Sequence, residues 1–140
     1  MTNFRFPKRM RLLTASDFER VFQARRSAGD EFVVLYGAAN NLQYPRLGLA
    51  VSRKVGGAVA RNRWKRALRE AFRLAQHDLP PLDLVCIPRA GAKPSVAHVR
   101  RSFLTLSKRI LRQLERDNER CAEKKTAELV EDQPANDPAS

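Results

Sequence analysis

The residues best suited to bind a polyanion lie between Arg61 and Arg73, in the sequence RNRWKRALREAFR. Six of these thirteen residues are Arg or Lys, and Glu70 is the one acidic residue among them. Arg can hold a phosphate through two parallel N–H donors, and Lys adds a mobile point charge. The chemistry that this stretch predicts is therefore phosphate binding rather than acid–base or nucleophilic catalysis.

A helical geometry sorts this stretch into two faces. Five apolar side chains fall within one arc of about 100°: Trp64, Leu68, Ala71, Phe72 and Ala75. A second arc of about the same width carries Asn62 and four cations, which we call the cationic row: Lys65, Arg66, Arg69 and Arg73. The pattern predicts a helix that begins near Ala58, packs one face on a core and presents the other to an anionic partner. A merely solvated face is the competing interpretation, but such a face usually mixes charge signs.

The charge of the whole chain supports an anionic partner. The net charge of the 140 residues is +12, and it is unevenly distributed. Residues 1–116 hold 24 Lys and Arg against 8 Asp and Glu (+16), whereas residues 117–140 hold 3 against 7 (−4). Such a charge points to nucleic acid or to an anionic membrane as the partner. We expect one basic binding domain over residues 1–116 with a basic, extended arm over residues 1–13, followed by an acidic, disordered tail over residues 117–140.

Catalytic and metal-binding patterns are missing from the sequence. It contains no HExxH motif, no Ser/His/Asp or Cys/His set at a recognisable spacing, and no acidic cluster. Cys86 and Cys121 are isolated, so neither zinc nor a disulfide scaffold is indicated. We therefore predict no catalytic residue and no metal site in the protein. No signal peptide or membrane span is recognisable, which predicts a cytoplasmic protein without a membrane partner.

The elements that must position the cations form a small α+β domain with the predicted order α-β-β-α-β-α. Residues 31–39 and 46–52 are predicted strands that should form an antiparallel hairpin, and residues 82–88 (LDLVCIP) a central third strand. Ser95 is a plausible cap for a long helix that reaches about Arg116. Gly56 and Gly57 either allow a sharp turn before the cationic helix or leave free amides there for a phosphate.

The first helix raises a separate possibility. Ser16 and Glu19 fit the capping box S-x-x-E, which predicts a short helix. Phe18 and Phe22 then lie on one side of it. They are either core residues or a half-exposed aromatic ledge on which unpaired bases could stack.

The segment ARNRWKRALREAF, preceded by RLGLAVSRKVGGAV, closely resembles the RNR signature of the protein subunit of bacterial ribonuclease P. The segment RLLTASDFERVFQ is similar to the N-terminal segment of that family, and LDLVCIPRAGA to its later strand and loop. The resemblance covers about residues 8–116. One departure is Gly57, where an Asn or Lys often stands in the family.

The resemblance implies a ribonucleoprotein endonuclease that removes the 5′ leader from precursor tRNA. In that family the RNA subunit carries the active site and uses Mg²⁺, and the basic protein binds the RNA and helps to hold the leader. It also implies an α/β sandwich with a left-handed βαβ crossover, and we expect one protein for each RNA. Two other functions remain open: a general RNA- or DNA-binding module such as a ribosomal protein, and a nuclease with an active site of its own.

The resemblance also implies two sets of site residues. Contact with the RNA subunit is expected from Ser52, Arg53, Lys54, Arg61, Asn62, Arg63, Lys65, Arg66 and Arg69, to which we add Arg73 from the cationic row. The leader is expected in an aromatic cleft between the first helix and the sheet, formed by Phe18, Phe22, Val34 and Tyr36.

Overall fold

A computed structural model describes residues 6–136 of the chain, and the side chains of residues 6–122. Its three helices and four strands are α1 (Ala15–Gln23), β1 (Ser27–Gly29), β2 (Val33–Ala39), β3 (Arg46–Leu49), α2 (Ala58–Ala75), β4 (Leu82–Pro88) and α3 (Val96–Asn136). The predicted α+β class is confirmed. The predicted element order lacked only β1, a three-residue strand (SAG) without side chains typical of strands.

The four strands form one mixed sheet in the order β1-β2-β4-β3. Strand β4 is central, as predicted, and it pairs antiparallel with β2 and parallel with β3. The predicted hairpin between β2 and β3 is therefore wrong, because β4 lies between them. Six of the seven residues of β4 are buried, which is typical of a central strand. The alternation of side chains in β2 and β3 does not determine which strands pair.

Helix α2 connects β3 to β4, and these two strands are parallel neighbours in the sheet. The two strands and the helix therefore form a βαβ crossover unit, which is the unit that the resemblance implied. Helices α2 and α3 pack against each other, and α3 also packs on β2. The main core contains, from the sheet, Val33, Leu35, Leu84 and Cys86, and, from the helices, Trp64, Leu68, Phe72, Phe103 and Ile110.

Helix α1 lies on the opposite face of the sheet, against β2 and β4. Val21 of α1 is buried there with Leu12, Ala38 and Val85. Because α1 has only nine residues, it covers part of this face and leaves Val34 half-buried. This uncovered part forms the open side of the domain.

The N-cap of α1 differs from the prediction. Thr14, not Ser16, caps the helix, and its Oγ1 accepts a hydrogen bond from the Asp17 amide at 3.2 Å. The capping box was assigned to the wrong residues because Thr14 and Asp17 have the same three-residue spacing as Ser16 and Glu19 and begin two residues earlier.

Both ends of the domain differ from the sequence-based expectations. Met10 and Leu12 are buried, and the Leu12 amide donates to the Leu47 carbonyl oxygen at 2.9 Å, so the described part of the arm is packed on β3. Helix α3 continues to Asn136, past the end predicted near Arg116. Residues 117–133 contain many good helix formers and neither Gly nor Pro, which favours helix despite their acidity. Residues 1–5 of the arm and 137–140 of the tail lie outside the described residues.

Candidate nucleic-acid interface

The predicted separation of α2 into two faces is confirmed. Trp64, Leu68 and Phe72 are fully buried, whereas Asn62, Arg66 and Arg69 are exposed. The apolar side chains anchor the helix on the sheet and on α3. The cations on its outer side are therefore held on a rigid element rather than on a loop.

Most of these cations are not neutralised by the protein. Within residues 6–122, no hydrogen bond or ion pair engages the side chains of Arg63, Lys65, Arg66 and Arg69. Their field is therefore directed at whatever partner approaches this face. This arrangement distinguishes α2 from an ordinary solvated helix, in which such charges pair along the surface.

Arg73 is the member of the cationic row that has an internal partner. Its Nε and Nη2 donate to Glu70 Oε2 and Oε1 at 3.0 and 2.5 Å. This hydrogen bonding holds the pKa of the Glu70 carboxyl below its ordinary value. Glu70 thus neutralises Arg73 and leaves the remaining cations of the row free.

Arg61 also differs from the row, because its position on the helix falls within the apolar arc. Its side chain is half-buried, and its Nε is buried without a hydrogen-bond partner in the described part of the chain. Burying an unpaired N–H donor is unfavourable.

The loop before α2 adds three exposed residues. They are Ser52, Arg53 and Lys54. Ser52 is the N-cap of a short 3-10 helix (Arg53–Val55), and its Oγ accepts a hydrogen bond from the Lys54 amide at 3.3 Å. Gly56 has a φ of 133°, and a Cβ atom there would lie 2.8 Å from Ala60 Cβ, so the sharp turn requires glycine at this position. Gly57 is the N-cap of α2 and gives no side-chain cap, so the first amides of the helix remain available.

The four residues of the predicted aromatic cleft lie on α1 and β2, which pack against each other on this face of the sheet. The rings of Phe22 and Tyr36 are 5.1 Å apart in an edge-to-face arrangement, and Phe22 is 39% exposed. Phe18 lies deeper, since a Cβ atom on Gly48 would come within 2.7 Å of its ring. The two Phe residues thus differ: Phe18 packs against β3, whereas Phe22 stands at the mouth of the cleft.

A buried carboxylate fixes the position of α1, and sequence reasoning missed it. Asp83 of β4 is fully buried and accepts hydrogen bonds from Arg46 Nε and Nη2 at 2.7 and 2.5 Å, and from Asn40 Nδ2 at 3.0 Å. Arg20 of α1 also donates to Asp83, and to the Ala39 carbonyl oxygen at 3.1 Å. An Asp inside an apolar strand was the available signal, because a buried charge requires partners.

Arg89, at the end of β4, was missed as a cation of the cleft. Its guanidinium lies over Gly29, where a Cβ atom would come within 2.7 Å of Arg89 Nη2 and 3.4 Å of Val34. Its Nε donates to the Asp30 carbonyl oxygen, which holds it there. The side chain therefore brings a positive charge to the β1 end of the open sheet face.

A hollow of about 280 Å³ connects the cleft to the cationic row. It lies between the N-terminal arm, α1 and α2, and its walls include Phe18, Lys65 and Arg69. Phe18 and two members of the cationic row therefore share one hollow.

The described residues show neither a metal-binding cluster nor a reactive thiol at Cys86. Within residues 6–122, no three His, Cys, Asp or Glu side chains come close enough together to hold a metal ion. Cys86 is fully buried, and burial raises the pKa of its thiol far above the ordinary value, so it is not a nucleophile. No helix in the described part is long and apolar enough to span a membrane. The fold and its surface define a small, basic α+β protein of the nucleic-acid-binding class.

Comparison with known proteins narrows this class to one family. A profile of the family described as Ribonuclease P matches residues 6–111. The ribonuclease P protein component of Klebsiella pneumoniae is 47% identical over 92 residues, which cover 65% of this chain and 77% of that protein. The protein component of Escherichia coli K12 is 46% identical over the same shares of the two chains.

Solved structures agree with this result. The ribonuclease P protein of Thermotoga maritima superposes with a TM-score of 0.64 at 36% identity, covering 71% of this chain and 96% of that one. The protein of Staphylococcus aureus gives a TM-score of 0.60 at 30% identity, covering 75% and 94%. The chain belongs to the ribonuclease P protein family, whose members act in tRNA processing with an RNA subunit. The resemblance found in the sequence is thereby confirmed.

Proposed function

We propose that this chain is the protein component of a ribonuclease P ribonucleoprotein that removes the 5′ leader from precursor tRNA, and that it uses separate surfaces for the two RNAs. The observation that carries the proposal is the set of unpaired cations on α2, a rigid face on the opposite side of the sheet from the aromatic cleft.

The α2 face is the proposed contact with the catalytic RNA. Apart from Arg73, its Arg and Lys side chains lack counterions within residues 6–122, and the phosphates of an RNA backbone would supply them. The contact comprises Ser52, Arg53, Lys54, Arg61, Asn62, Arg63, Lys65, Arg66, Arg69 and Arg73. The Arg73 guanidinium is already paired with Glu70, so we expect Arg73 to contribute less to RNA affinity than Arg66 or Arg69.

The aromatic cleft is the proposed contact with the leader. A leader is single-stranded, and unpaired bases stack on aromatic side chains without strict sequence preference. Phe22 and Tyr36 offer exposed ring surface, Val34 the open sheet, and Phe18 the supporting wall. Arg89 is added to this set, because it brings a cation to the end of the cleft near Val34.

The role of the protein is to hold two polyanions together. Precursor tRNA and the catalytic RNA repel each other, and a protein with cations on one side and a leader cleft on the other offsets this repulsion. Mg²⁺ is assigned to the RNA subunit, because the proposed interface consists of cationic and neutral groups, which do not attract a divalent cation. No protein residue is assigned a catalytic step.

A cytoplasmic protein bound one-to-one to its RNA completes the proposal. Each chain offers one α2 face and one cleft, so one protein suffices for one RNA and one substrate.

The test is reconstitution at low Mg²⁺ with the RNA subunit from the same genome and a precursor tRNA. The full chain should strongly increase leader removal, because it supplies charge that Mg²⁺ otherwise supplies. No increase with correctly folded RNA would contradict the proposal. Cleavage by the protein alone would indicate a protein nuclease. Equal affinity for unrelated structured RNAs, with no effect on processing, would indicate a general RNA-binding module.

A further inference from the structure

A second, larger hollow lies on the other side of the cationic row. It is a wide, open cavity of about 670 Å³ that is bordered by the N-terminal arm, α2 and the start of α3. Its lining includes apolar surface from Ala67, Pro94 and Val96, and guanidinium groups from Arg63 and Arg66. Glu70 also lies in the lining, but its carboxylate accepts hydrogen bonds from Arg73 and is neutralised by it. Neither the sequence motif nor the aromatic cleft accounts for an apolar cavity at this place.

The arm wall of the cavity is held in place. The ring of Phe6 packs on the buried Phe72 ring at 5.0 Å between centroids. The Arg11 guanidinium lies over the Phe6 ring, 4.8 Å from its centroid, and its Nη2 donates to the Phe6 carbonyl oxygen at 3.0 Å. These contacts fix the wall in the protein alone, so a ligand would enter a cavity that is largely formed.

The lining selects the class of ligand. Phosphate alone would leave the apolar surface unused, and an uncharged apolar molecule would leave the guanidinium groups unused. An unpaired nucleotide satisfies both, since its base has flat apolar faces and its phosphates are anionic. A base inside a duplex could not reach the cavity, because both of its faces are stacked.

We propose that this cavity receives one unpaired nucleotide of the catalytic RNA, with the base against Ala67, Pro94 and Val96 and the flanking phosphates on Arg63 and Arg66. The inference rests on the proposed function, because the nucleotide is delivered when the RNA docks on α2. It adds an apolar contact with the base to an interface that would otherwise consist of charge contacts.

The direct test is an NMR titration of the full chain, observed at the methyl groups of Ala67 and Val96. Adenosine 5′-monophosphate should shift both signals in a saturable manner, whereas ribose 5-phosphate at the same concentration should not. The Leu104 methyl groups on α3, outside the cavity, are the internal control. Equal methyl shifts from ribose 5-phosphate, or none from the nucleotide, would overturn the proposal.

The second test fills the cavity without changing charge. Ala67 is 8% exposed and lines the cavity, so Ala67→Leu should occupy the space of the base. We expect a loss of affinity for the catalytic RNA of about tenfold, because the base loses its apolar contact, with an unchanged salt dependence. Ala58→Leu, on the same helix and outside this cavity, is the matched control and should bind as wild type does.

The outcomes separate this proposal from the function on which it rests. If Ala67→Leu binds RNA like wild type while Arg66→Ala weakens binding, the nucleotide site is overturned and RNA docking on α2 stands. If neither variant has an effect, both proposals fail. A thermal melt establishes whether Ala67→Leu is folded, and the titration of the unmodified chain tests the site independently of any variant.

Discussion

At the scale of single residues, Asp83 connects elements that are far apart in the chain. It lies on the central strand and accepts hydrogen bonds from Arg20 of α1, Arg46 of β3 and Asn40 after β2. A charge buried in this way is tolerated because its partners surround it, and removing it leaves their charges uncompensated. The same bonds hold α1 over the sheet, so Asp83 positions the aromatic cleft without lining it.

Asp83→Asn is expected to lower the free energy of unfolding by about 3 kcal/mol, because the two guanidinium groups lose their common counterion. Urea denaturation monitored by circular dichroism measures the effect. Asp117→Asn is the control, because Asp117 and Arg26 form a partly exposed pair that should matter much less. If Asp83→Asn lowers the free energy of unfolding no more than Asp117→Asn does, Asp83 does not hold these elements together.

Phe22→Ala is expected to weaken binding of precursor tRNA by about 1–3 kcal/mol, the value of one stacked base, and to leave affinity for the catalytic RNA unchanged. The measurement compares substrates with and without a leader in the reconstituted enzyme. Only the substrate with a leader should respond.

Two controls accompany this variant. Val59→Ala removes an apolar side chain that is 68% exposed and lies outside the cleft, so it should have no effect on the leader. Phe18→Ala should destabilise the fold, because Phe18 packs against β3. If Phe22→Ala loses the same affinity for substrates with and without a leader, Phe22 does not act through the leader.

At the scale of elements, α2 serves two purposes. As the crossover between β3 and β4 it must be well packed, and as the proposed RNA-binding face it must project unpaired cations. The N-terminus of α2 is better suited to RNA binding than to stable packing, because it lacks a side-chain cap. Gly57 caps it without a side chain, has an ordinary φ of −74°, and has open space where a Cβ atom would lie.

Gly57→Asn is therefore expected to raise the free energy of unfolding by about 0.5–1 kcal/mol, through a new cap and a less flexible unfolded chain. Thermal unfolding should show a midpoint about 2–6 °C higher. Gly56→Asn is the matched control and should destabilise, because φ at Gly56 is 133° and the added Cβ would meet Ala60. If Gly57→Asn lowers the free energy of unfolding, position 57 does not accept a capping side chain without strain.

Features that depend on neighbouring residues could be predicted from the sequence, and features that depend on distant pairing could not. The faces of α2 follow from spacing alone, and Trp64 and Phe72 are buried as expected. The alternation of side chains along β2 correctly placed Val33 and Val34 on opposite faces of the sheet. It did not show that β2 would pair with β4. Asp83 and Arg89 were missed because their partners are 37 or more positions away in the chain.

At the scale of the whole molecule, charge is the dominant property. The net charge is +12, and the unpaired cations on α2 direct part of it to one face. Binding to RNA should then release counterions from each phosphate that is neutralised.

If five to seven phosphates are contacted, the logarithm of the binding constant should fall with the logarithm of salt concentration at a slope of about −4 to −6. Arg66→Ala should make this slope less steep by about 1, because one phosphate contact is lost. Filter binding to the catalytic RNA at several salt concentrations measures both. Arg101→Ala, an exposed cation on α3, is the control, and an equal change in both variants would contradict a localised interface.

The strand order also has a consequence for how the chain is made. Strand β3 pairs with no strand of the described chain other than β4, and β4 is the last strand to be synthesised. Until Leu82–Pro88 emerges from the ribosome, β3 lacks a strand partner, β2 has only the three residues of β1, and α2 has no complete sheet on which to bury Trp64. A nascent chain in which α2 has emerged but β4 has not should therefore expose apolar surface beside a strongly basic helix, and chaperones or ribosomal RNA would be its first contacts.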